Sequence, residues 1–155
     1  MKRLSSNSTR VFCVLMDSLV DSYLKIENKP YMPLSMEFIG TAQLKPYGLA
    51  MLYSLCHYYK QNGDLMQDPE MCFAVVDNRE RSNDYTAVYV VPYMYQQANL
   101  GIYQESIQIE DSCFFSSFDE RQQAEHAAFA DTWLDNIEQQ GFLLGLQERT
   151  PDSTL

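Results

Sequence analysis

The sequence predicts an α+β domain in which an antiparallel sheet of about four strands is flanked by an N-terminal and a C-terminal helix. Three observations support this fold class. The chain has 155 residues, of which 46% are hydrophobic, so it can bury a core without disulfides. One segment near each end carries apolar residues at helical spacing. The segments between them are rich in aromatic and aliphatic residues and are separated by turn sequences. We expect a single domain over residues 1–155, with flexible ends at about 1–8 and 147–155.

The first helix is predicted from Arg10 onward, with Ser8 or Thr9 as its N-cap. Its apolar stripe consists of Phe12, Leu15, Met16, Leu19 and Tyr23. Pro30 disfavours a helical conformation in the residue before it. The helix is therefore expected to end near residues 25–28.

Four apolar segments predict the strands, at residues 31–39, 49–59, 71–76 and 85–95. The sequence Asn62-Gly63-Asp64 favours a turn, because Asn, Gly and Asp tolerate positive φ angles. About eight residues separate the two apolar runs around this turn, which predicts a looped hairpin rather than a tight one. Pro92 cannot donate a ladder hydrogen bond, so the last strand is expected to lie at an edge or to bend there.

The second helix is predicted over residues 117–140, where Ser117 and Glu120 match a capping box and Gly141 follows as a stop. Its buried stripe consists of Phe129, Ala130, Trp133, Leu134 and Ile137. His126 lies near this stripe and is interpreted as a covered helix residue rather than a catalytic base.

The charge of the chain is concentrated in its last third. Eleven Lys and Arg against 21 Asp and Glu give a net charge of −10, of which residues 100–155 carry −9. This charge argues against direct binding of nucleic acid or an anionic membrane. Asp131, Asp135 and Glu138 share one face of the second helix. They form either a solvated face or a row of charges that imitates DNA phosphates toward a protein partner.

The cysteines indicate a reducing compartment. Cys13, Cys56, Cys72 and Cys113 form no CxxC pair, and three of them lie in apolar runs, as small buried residues do. No apolar run approaches the roughly 20 residues needed to cross a bilayer. The sequence therefore predicts a cytoplasmic protein without a membrane segment.

The densest polar motif lies between the second and third strands and contains His57, Asp64, Asp68 and Glu70. Carboxylates and a histidine could hold a divalent cation that activates water. The spacing does not match an EF-hand loop, and the same residues could simply build turns. No GxGxxG or P-loop sequence is present, so we expect no nucleotide or other cofactor.

Three segments carry a resemblance to a known family: YMPLSMEF from Tyr31, SLCHYYKQNGDLMQDPEM from Ser54 and YQQANLG from Tyr95. Together they resemble a family of small domains of unknown function that is carried on mobile elements of gut bacteria and on phages. The family has no established activity, so the resemblance implies a setting and no mechanism. It makes the residues of the polar motif the first candidates for a binding site: His57, Tyr59, Asn62, Asp64, Asp68 and Glu70.

Eleven tyrosines suggest a second candidate surface. The alternation of the fourth strand predicts that Tyr85, Tyr89 and Tyr93 share one face. Tyrosine suits partner binding because it combines apolar area with a polar tip. The same face could instead pack beneath the helices.

The leading prediction is a non-enzymatic interaction module with an unidentified protein partner. A DNA mimic is a more specific version of this prediction. The alternative is a small metal-assisted hydrolase, or a metal- or ligand-binding domain, built from the motif between His57 and Glu70. No catalytic residue is assigned, because no recognised catalytic constellation occurs in the sequence.

Overall fold

A computed structural model describes residues 1–110 and 114–149 and confirms an α+β fold with helices at both ends. The helices are α1 (Ser6–Met16), α2 (Glu120–Gln139) and α3 (Leu144–Arg149). The strands are β1 (Tyr23–Ile26), β2 (Leu34–Leu44), β3 (Gly48–Gln61), β4 (Asp64–Asp77), β5 (Val88–Gln97), β6 (Ile102–Glu105), β7 (Ile107–Glu110) and β8 (Phe114–Phe118). Within these described ranges, eight strands replace the four or so that were expected. The additional strands have only four or five residues each, too few for a periodic pattern to stand out.

Helix α1 begins and ends earlier than the sequence predicts. Ser5 is its N-cap, and the Ser5 side chain accepts a hydrogen bond from the backbone N–H three residues on, at 3.2 Å. The helix ends at Met16, well before the expected end. Beyond it, Asp21 and Ser22 adopt positive φ angles of 53° and 66°, which no right-handed helix accepts. These two residues turn the chain into β1.

All eight strands belong to one sheet. Its hydrogen-bonded order is β6-β5-β4-β3-β2-β8-β7, and β1 also pairs with β2. Neighbouring strands are antiparallel except β2 and β8, which pair in parallel at Gln43 and Phe114. The strands from β2 to β5 therefore form a meander, as antiparallel strands joined by short connections do.

The sheet closes on itself at Ser106. This residue alone separates β6 and β7, which stand at opposite ends of the strand order. The Ser106 N–H donates to the Tyr93 carbonyl at 2.9 Å, and the Ser106 carbonyl accepts from the Asp119 N–H at 2.7 Å. The Ser106 hydroxyl lies 2.8 Å from His126 Nδ1, and His126 Nε2 lies 3.0 Å from the Gln104 side-chain oxygen. These contacts tie α2 to the point of closure.

The two faces of the sheet carry two apolar cores. The first core lies beneath α1 and α2 and contains the buried residues Phe12, Phe73 and Leu134. The second core fills the inner face with smaller side chains, including Ala42, Ala50, Ala74, Val76, Val91 and Ile107. A strongly curved sheet leaves little room inside, which accounts for these small residues. Burial on both faces also explains why the central strands read as continuous apolar runs.

Helix α2 begins three residues later than predicted. Asp119 is its N-cap, with its side chain accepting from the Gln122 backbone N–H at 3.0 Å. Ser117 instead belongs to β8, so it does not form a capping box with Glu120. Gly141 follows the helix with a φ of 88°, a conformation that favours glycine, and ends the helix as expected.

The cysteines that the structure describes are Cys13, Cys56 and Cys72, which are buried with free thiols. Cys113 lies outside the described residues. Burial raises the pKa of the Cys13 and Cys56 thiols to about 12. Near neutral pH these thiols are protonated and behave as small apolar groups. Within the described part of the chain, no helix combines the length and the apolar character that a membrane crossing requires.

Candidate functional site

The polar motif folds into a tight hairpin. Strands β3 and β4 continue to Gln61 and Asp64, which pair across the turn. The turn consists of Asn62 and Gly63, with φ angles of 53° and 86°. Two successive positive φ angles are characteristic of the two-residue turns that match the twist of a hairpin. The expectation of a looped connection is therefore wrong, because the polar residues beside the turn continue the strands.

The end of this hairpin extends beyond the neighbouring strands. Pairing of β2 with β3 reaches only to His57, and pairing of β5 with β4 reaches only to Glu70. Along the strand ladders, residues 58–67 therefore pair only with one another, and we call them the hairpin arm. Tyr59 lies opposite Met66 in this arm, and both are half-buried. Leu65 is 51% exposed.

The four side chains of the predicted metal site do not converge. Asp64 is exposed at the tip of the arm, and Asp68 lies at its base. His57 faces the helices, whereas Glu70 faces the inner side of the sheet and accepts a hydrogen bond from Ser54 Oγ at 2.5 Å. Residues 1–110 and 114–149 contain no group of three or more His, Cys, Asp or Glu side chains that could hold a metal ion. The geometry that the hydrolase alternative requires is thus not formed by these residues.

His57 is held in one tautomer by the backbone. Its Nδ1 lies 3.1 Å from the Met32 carbonyl and 3.3 Å from the Pro33 carbonyl. Because both partners are acceptors, Nδ1 carries the proton and Nε2 is left as an acceptor. Burial lowers the pKa of His57, an effect only partly offset by the hydrogen bonds to the Pro33 and Met32 carbonyls and by the nearby Asp68 charge. The ring is therefore neutral at neutral pH.

His57 belongs to a row of six rings that follows the contact between α2 and the sheet. Successive ring centroids lie 5.0 Å (Tyr95 to Phe129), 6.3 Å (Phe129 to Trp133), 5.7 Å (Trp133 to His57), 5.4 Å (His57 to Phe142) and 6.1 Å (Phe142 to Tyr31) apart. We call this row the aromatic seam. Phe129 and Tyr31 are 39% and 42% exposed, whereas Trp133 is 6% exposed. The seam is thus open near both ends and covered in its middle.

The seam is not predicted by the sequence patterns described above. The helical spacing predicts Phe129 and Trp133 as buried residues, which is correct for Trp133 but wrong for Phe129, and the polar motif contains His57. No local pattern indicates that side chains from α2 and β3 meet, because the helix and the strand lie far apart in the sequence. The useful signal is that the only tryptophan of the chain lies one helical turn after an aromatic residue.

A chain of polar groups borders the seam. The Tyr95 hydroxyl donates to the Gln97 side-chain oxygen at 2.6 Å. Gln97 Nε2 in turn donates to Asp68 Oδ1 at 2.9 Å. One carboxylate of the predicted motif is therefore fixed beside His57 by residues of β5.

The tyrosines near β5 do not share one face. Tyr85 precedes the strand in a 3₁₀ turn and packs against the core beneath the helices. Tyr89 and Tyr93 belong to the inner core. The β4–β5 register shifts beside Pro92, and Tyr95 therefore faces α2. A register shift thus lies beside Pro92, and the predicted surface of three tyrosines is not formed, because Tyr85 precedes the strand while Tyr89 and Tyr93 share the inner face.

The acidic row of α2 is partly used to hold α1. Asp131 Oδ1 accepts a hydrogen bond from the Ser5 backbone N–H at 3.0 Å. Glu138 forms an ion pair with Arg10. The Asp135 carboxylate accepts a hydrogen bond from Gln139 Nε2, one turn further along α2, at 2.8 Å. All three carboxylates are half-buried, so the row is not a fully open charged surface.

Ser106 and His126 are in contact, and a serine hydroxyl beside a histidine ring nitrogen is a pair that can serve as nucleophile and base. Ser106 is 1% exposed and His126 is 3% exposed. A substrate cannot reach this pair without opening the sheet closure. The interpretation of His126 as a covered helix residue is therefore confirmed.

Comparison with known proteins gives a family for this fold. A search of curated proteins and a search of solved structures each found no match. The family model described as Domain of unknown function (DUF6908) matches residues 7–143, well over half of the 155-residue chain. The matched span contains both the hairpin arm and the aromatic seam. The chain therefore belongs to the family described as Domain of unknown function (DUF6908).

Proposed function

We propose that the protein is a non-enzymatic interaction module that binds a protein partner through the hairpin arm. The observation that carries this proposal is that residues 58–67 lie beyond the last paired residues of β2 and β5, with the Tyr58 N–H donating to the Pro33 carbonyl at the base of the arm. The arm presents Leu65 to solvent and carries tyrosine and methionine, two residue types that are enriched at protein interfaces. An apolar side chain on a projecting ribbon gains most when a partner covers it.

The other candidate sites are less suited to binding a partner than the hairpin arm. The carboxylates of the motif are dispersed, and Ser106 with His126 is sealed, so neither arrangement favours catalysis. Asp131 and Glu138 contact α1, so partner binding or DNA mimicry by the acidic row would compete with contacts inside the fold. The net charge of −10 disfavours a nucleic-acid ligand for the arm.

The cell compartment and the kind of partner that we propose are based on the sequence. Cysteines without a paired motif favour a reducing cytoplasm. The resemblance to domains of mobile elements makes a bacterial host protein the first kind of partner to seek.

The proposal is tested by photo-crosslinking in a bacterial host cell. A photoreactive residue at Leu65 should crosslink one defined partner, whereas the same residue at Leu49 should not. Leu49 is the matched control because it is 57% exposed and lies at the other end of β3.

The captured protein is then purified and its affinity for the chain is measured. Leu65→Asp should weaken binding about tenfold or more, and Leu49→Asp should leave the affinity unchanged. Equal crosslinking from both positions, or equal affinities of the two variants, would show that the arm is not the binding surface.

A further inference from the structure

Strand β1 leaves one edge of its backbone open. In the part of the chain that the structure describes, β1 pairs with no strand except β2. The Phe38 N–H donates to the Ser22 carbonyl at 3.0 Å just before this ladder begins. Because backbone groups alternate in direction along an antiparallel strand, Leu24 and Ile26 also bond to β2. The N–H and C=O of Lys25 therefore point away from β2.

The open edge begins at Lys25 and continues through Glu27. Before it, Val20 and Tyr23 exchange backbone hydrogen bonds at 2.9 and 3.2 Å. Glu27 directly follows β1, and the same alternation directs its backbone groups away from β2. Among residues 1–110 and 114–149, no hydrogen bond reaches these outward groups. Lys25 Nζ and the Glu27 carboxylate form an ion pair at 3.2 Å, with 44% and 62% of their side chains exposed.

A groove of about 460 Å³ runs beside the open edge, between residues 24–28 and residues 141–146. Leu24 and Ile26 pack against the first core on this side of the sheet. Leu144 lines the groove and is 65% exposed. An added strand would find both outward backbone groups and apolar surface here, the two features that strand addition to a sheet edge uses.

The residues around Ile26 are complementary to themselves in an antiparallel pairing. When a twofold axis passes through Ile26, Lys25 of each copy lies opposite Glu27 of the other. The outward backbone groups of these two residues then meet as hydrogen-bonded pairs, and each lysine lies beside a carboxylate. Ile26 meets its own copy in the closer pair without hydrogen bonds. An axis through Lys25 would instead place two lysines opposite each other, which is unfavourable.

We propose that the open edge of β1 is an interface between two copies of this chain, which pair antiparallel over residues 25–27 and join their sheets. Each pair of Lys25 with Glu27 exchanges both of its backbone hydrogen bonds. The second copy also covers Ile26 and the exposed Leu144 beside the groove. This proposal does not depend on the hairpin arm, and a protein partner there neither supports nor contradicts it.

The oligomeric state of the full protein tests this proposal. Sedimentation equilibrium between about 1 µM and about 0.5 mM should show a reversible change from the 18.0 kDa monomer to a dimer of twice that mass. Hydrogen exchange of the Lys25 and Glu27 amides should slow about tenfold or more when the dimer is populated. The Leu24 amide bonds to β2 in the monomer and should exchange at the same rate in both states.

Charge variants test the register of the pairing. Glu27→Lys places a second lysine opposite Lys25 and should weaken dimerisation about tenfold or more. Combining Lys25→Glu with Glu27→Lys restores opposite charges and should restore dimerisation, which also shows that the substitutions are compatible with folding. Glu80→Lys is the matched control, because Glu80 is an exposed carboxylate in a different loop.

A cysteine variant tests the position of the axis. Side chains that face each other in a pair without hydrogen bonds are close enough for a disulfide. Diamide, a thiol oxidant, should therefore crosslink Ile26→Cys into a covalent dimer. Leu49→Cys should not crosslink under the same treatment, although Leu49 is 57% exposed.

The proposal is overturned if the unmodified chain remains a monomer at about 0.5 mM, a result that would favour a strand of another protein at this edge. It is also overturned if Glu27→Lys dimerises as well as Glu80→Lys does. A dimer that Leu65→Asp abolishes would place the contact in the hairpin arm instead. Equal crosslinking of Ile26→Cys and Leu49→Cys would exclude the axis at Ile26.

Discussion

The acidic residues of α2 should contribute unequally to the stability of the fold, and the free energies of unfolding of two variants measure this difference. Helix α1 has no acidic residue in its first turn. Asp131 supplies the missing negative charge from α2 by accepting from the Ser5 N–H at the N-terminus of α1. Asp135 occupies the next turn of the same face, but its side-chain hydrogen bond among the described residues is to its own helix. Asp131→Ala and Asp135→Ala are therefore a matched pair of variants.

The expected difference follows from the contacts that each variant loses. Both variants gain the same helix propensity, so this contribution cancels in the comparison. Asp131→Ala loses a hydrogen bond to a charged group, worth about 1 kcal/mol in a half-buried position. It also loses a favourable charge at a helix N-terminus, worth about 0.5 kcal/mol. Asp131→Ala should therefore have a free energy of unfolding about 1.5 kcal/mol lower than Asp135→Ala.

Urea denaturation of both variants, followed by far-ultraviolet circular dichroism, measures this difference. The midpoint should be lower for Asp131→Ala, with an unchanged slope. The melting temperature should be lower by about 4 °C, given the size of the domain. Equal midpoints would refute the reasoning, since the carboxylate of Asp131 would then contribute no more than a solvated charge.

Three further predictions concern pH, an ion-pair network and the hairpin turn. Burial lowers the pKa of His57 and His126 below the ordinary value of 6.5, so the unfolded chain binds more protons in mild acid. Their contribution to stability should be complete above pH 6.5 and should fall as the pH decreases below it, as urea denaturation at stepped pH would show. Arg79 donates hydrogen bonds to the carboxylates of Asp17, at the end of α1, and Asp77, at the end of β4, with donor–acceptor distances of 2.8–3.2 Å. Arg79→Lys should lower the free energy of unfolding by about 1–2 kcal/mol, and the exposed Arg81→Lys by less than about 0.5 kcal/mol. Gly63→Ala should cost about 1 kcal/mol in the same assay, because Gly63 has a φ of 86°.

Each of these predictions has an outcome that contradicts it. Greater stability at pH 5.5 than at pH 7 would contradict the assigned directions of the histidine pKa values. Equal effects of the two arginine variants would show that the network around Arg79 adds nothing. An unchanged midpoint for Gly63→Ala would mean that the turn adapts to an ordinary φ angle.

The parts of the fold that the sequence predicts are those with a local signal. The spacing of Trp133 and Ile137 identifies α2, and Asn62-Gly63 identifies the turn of the long hairpin. The closure at Ser106 has no such signal, because it depends on pairing between segments that are distant in the chain. Burial of the sheet on both faces also removes the alternation from which strand faces are usually inferred.

The candidate site was predictable only in part for related reasons. His57 and Asp68 belong to a motif that stands out in the sequence. Their partners, Trp133 and Gln97, lie on other elements. A register shift in β4 places Glu70 on the opposite face from His57, and simple alternation cannot predict such a shift.

The closure at Ser106 has a consequence for how the chain folds. The pairs from β2 to β5 join strands that are consecutive in the sequence, so each closes only a short loop. Pairing of β8 with β2 joins Phe114 to Gln43, a far more distant contact, and distant contacts form late. We therefore expect an intermediate in which the meander and β6 have formed while β7 and β8 are still undocked. Its inner core would face water, and at high protein concentration such molecules would associate with one another before the sheet closes.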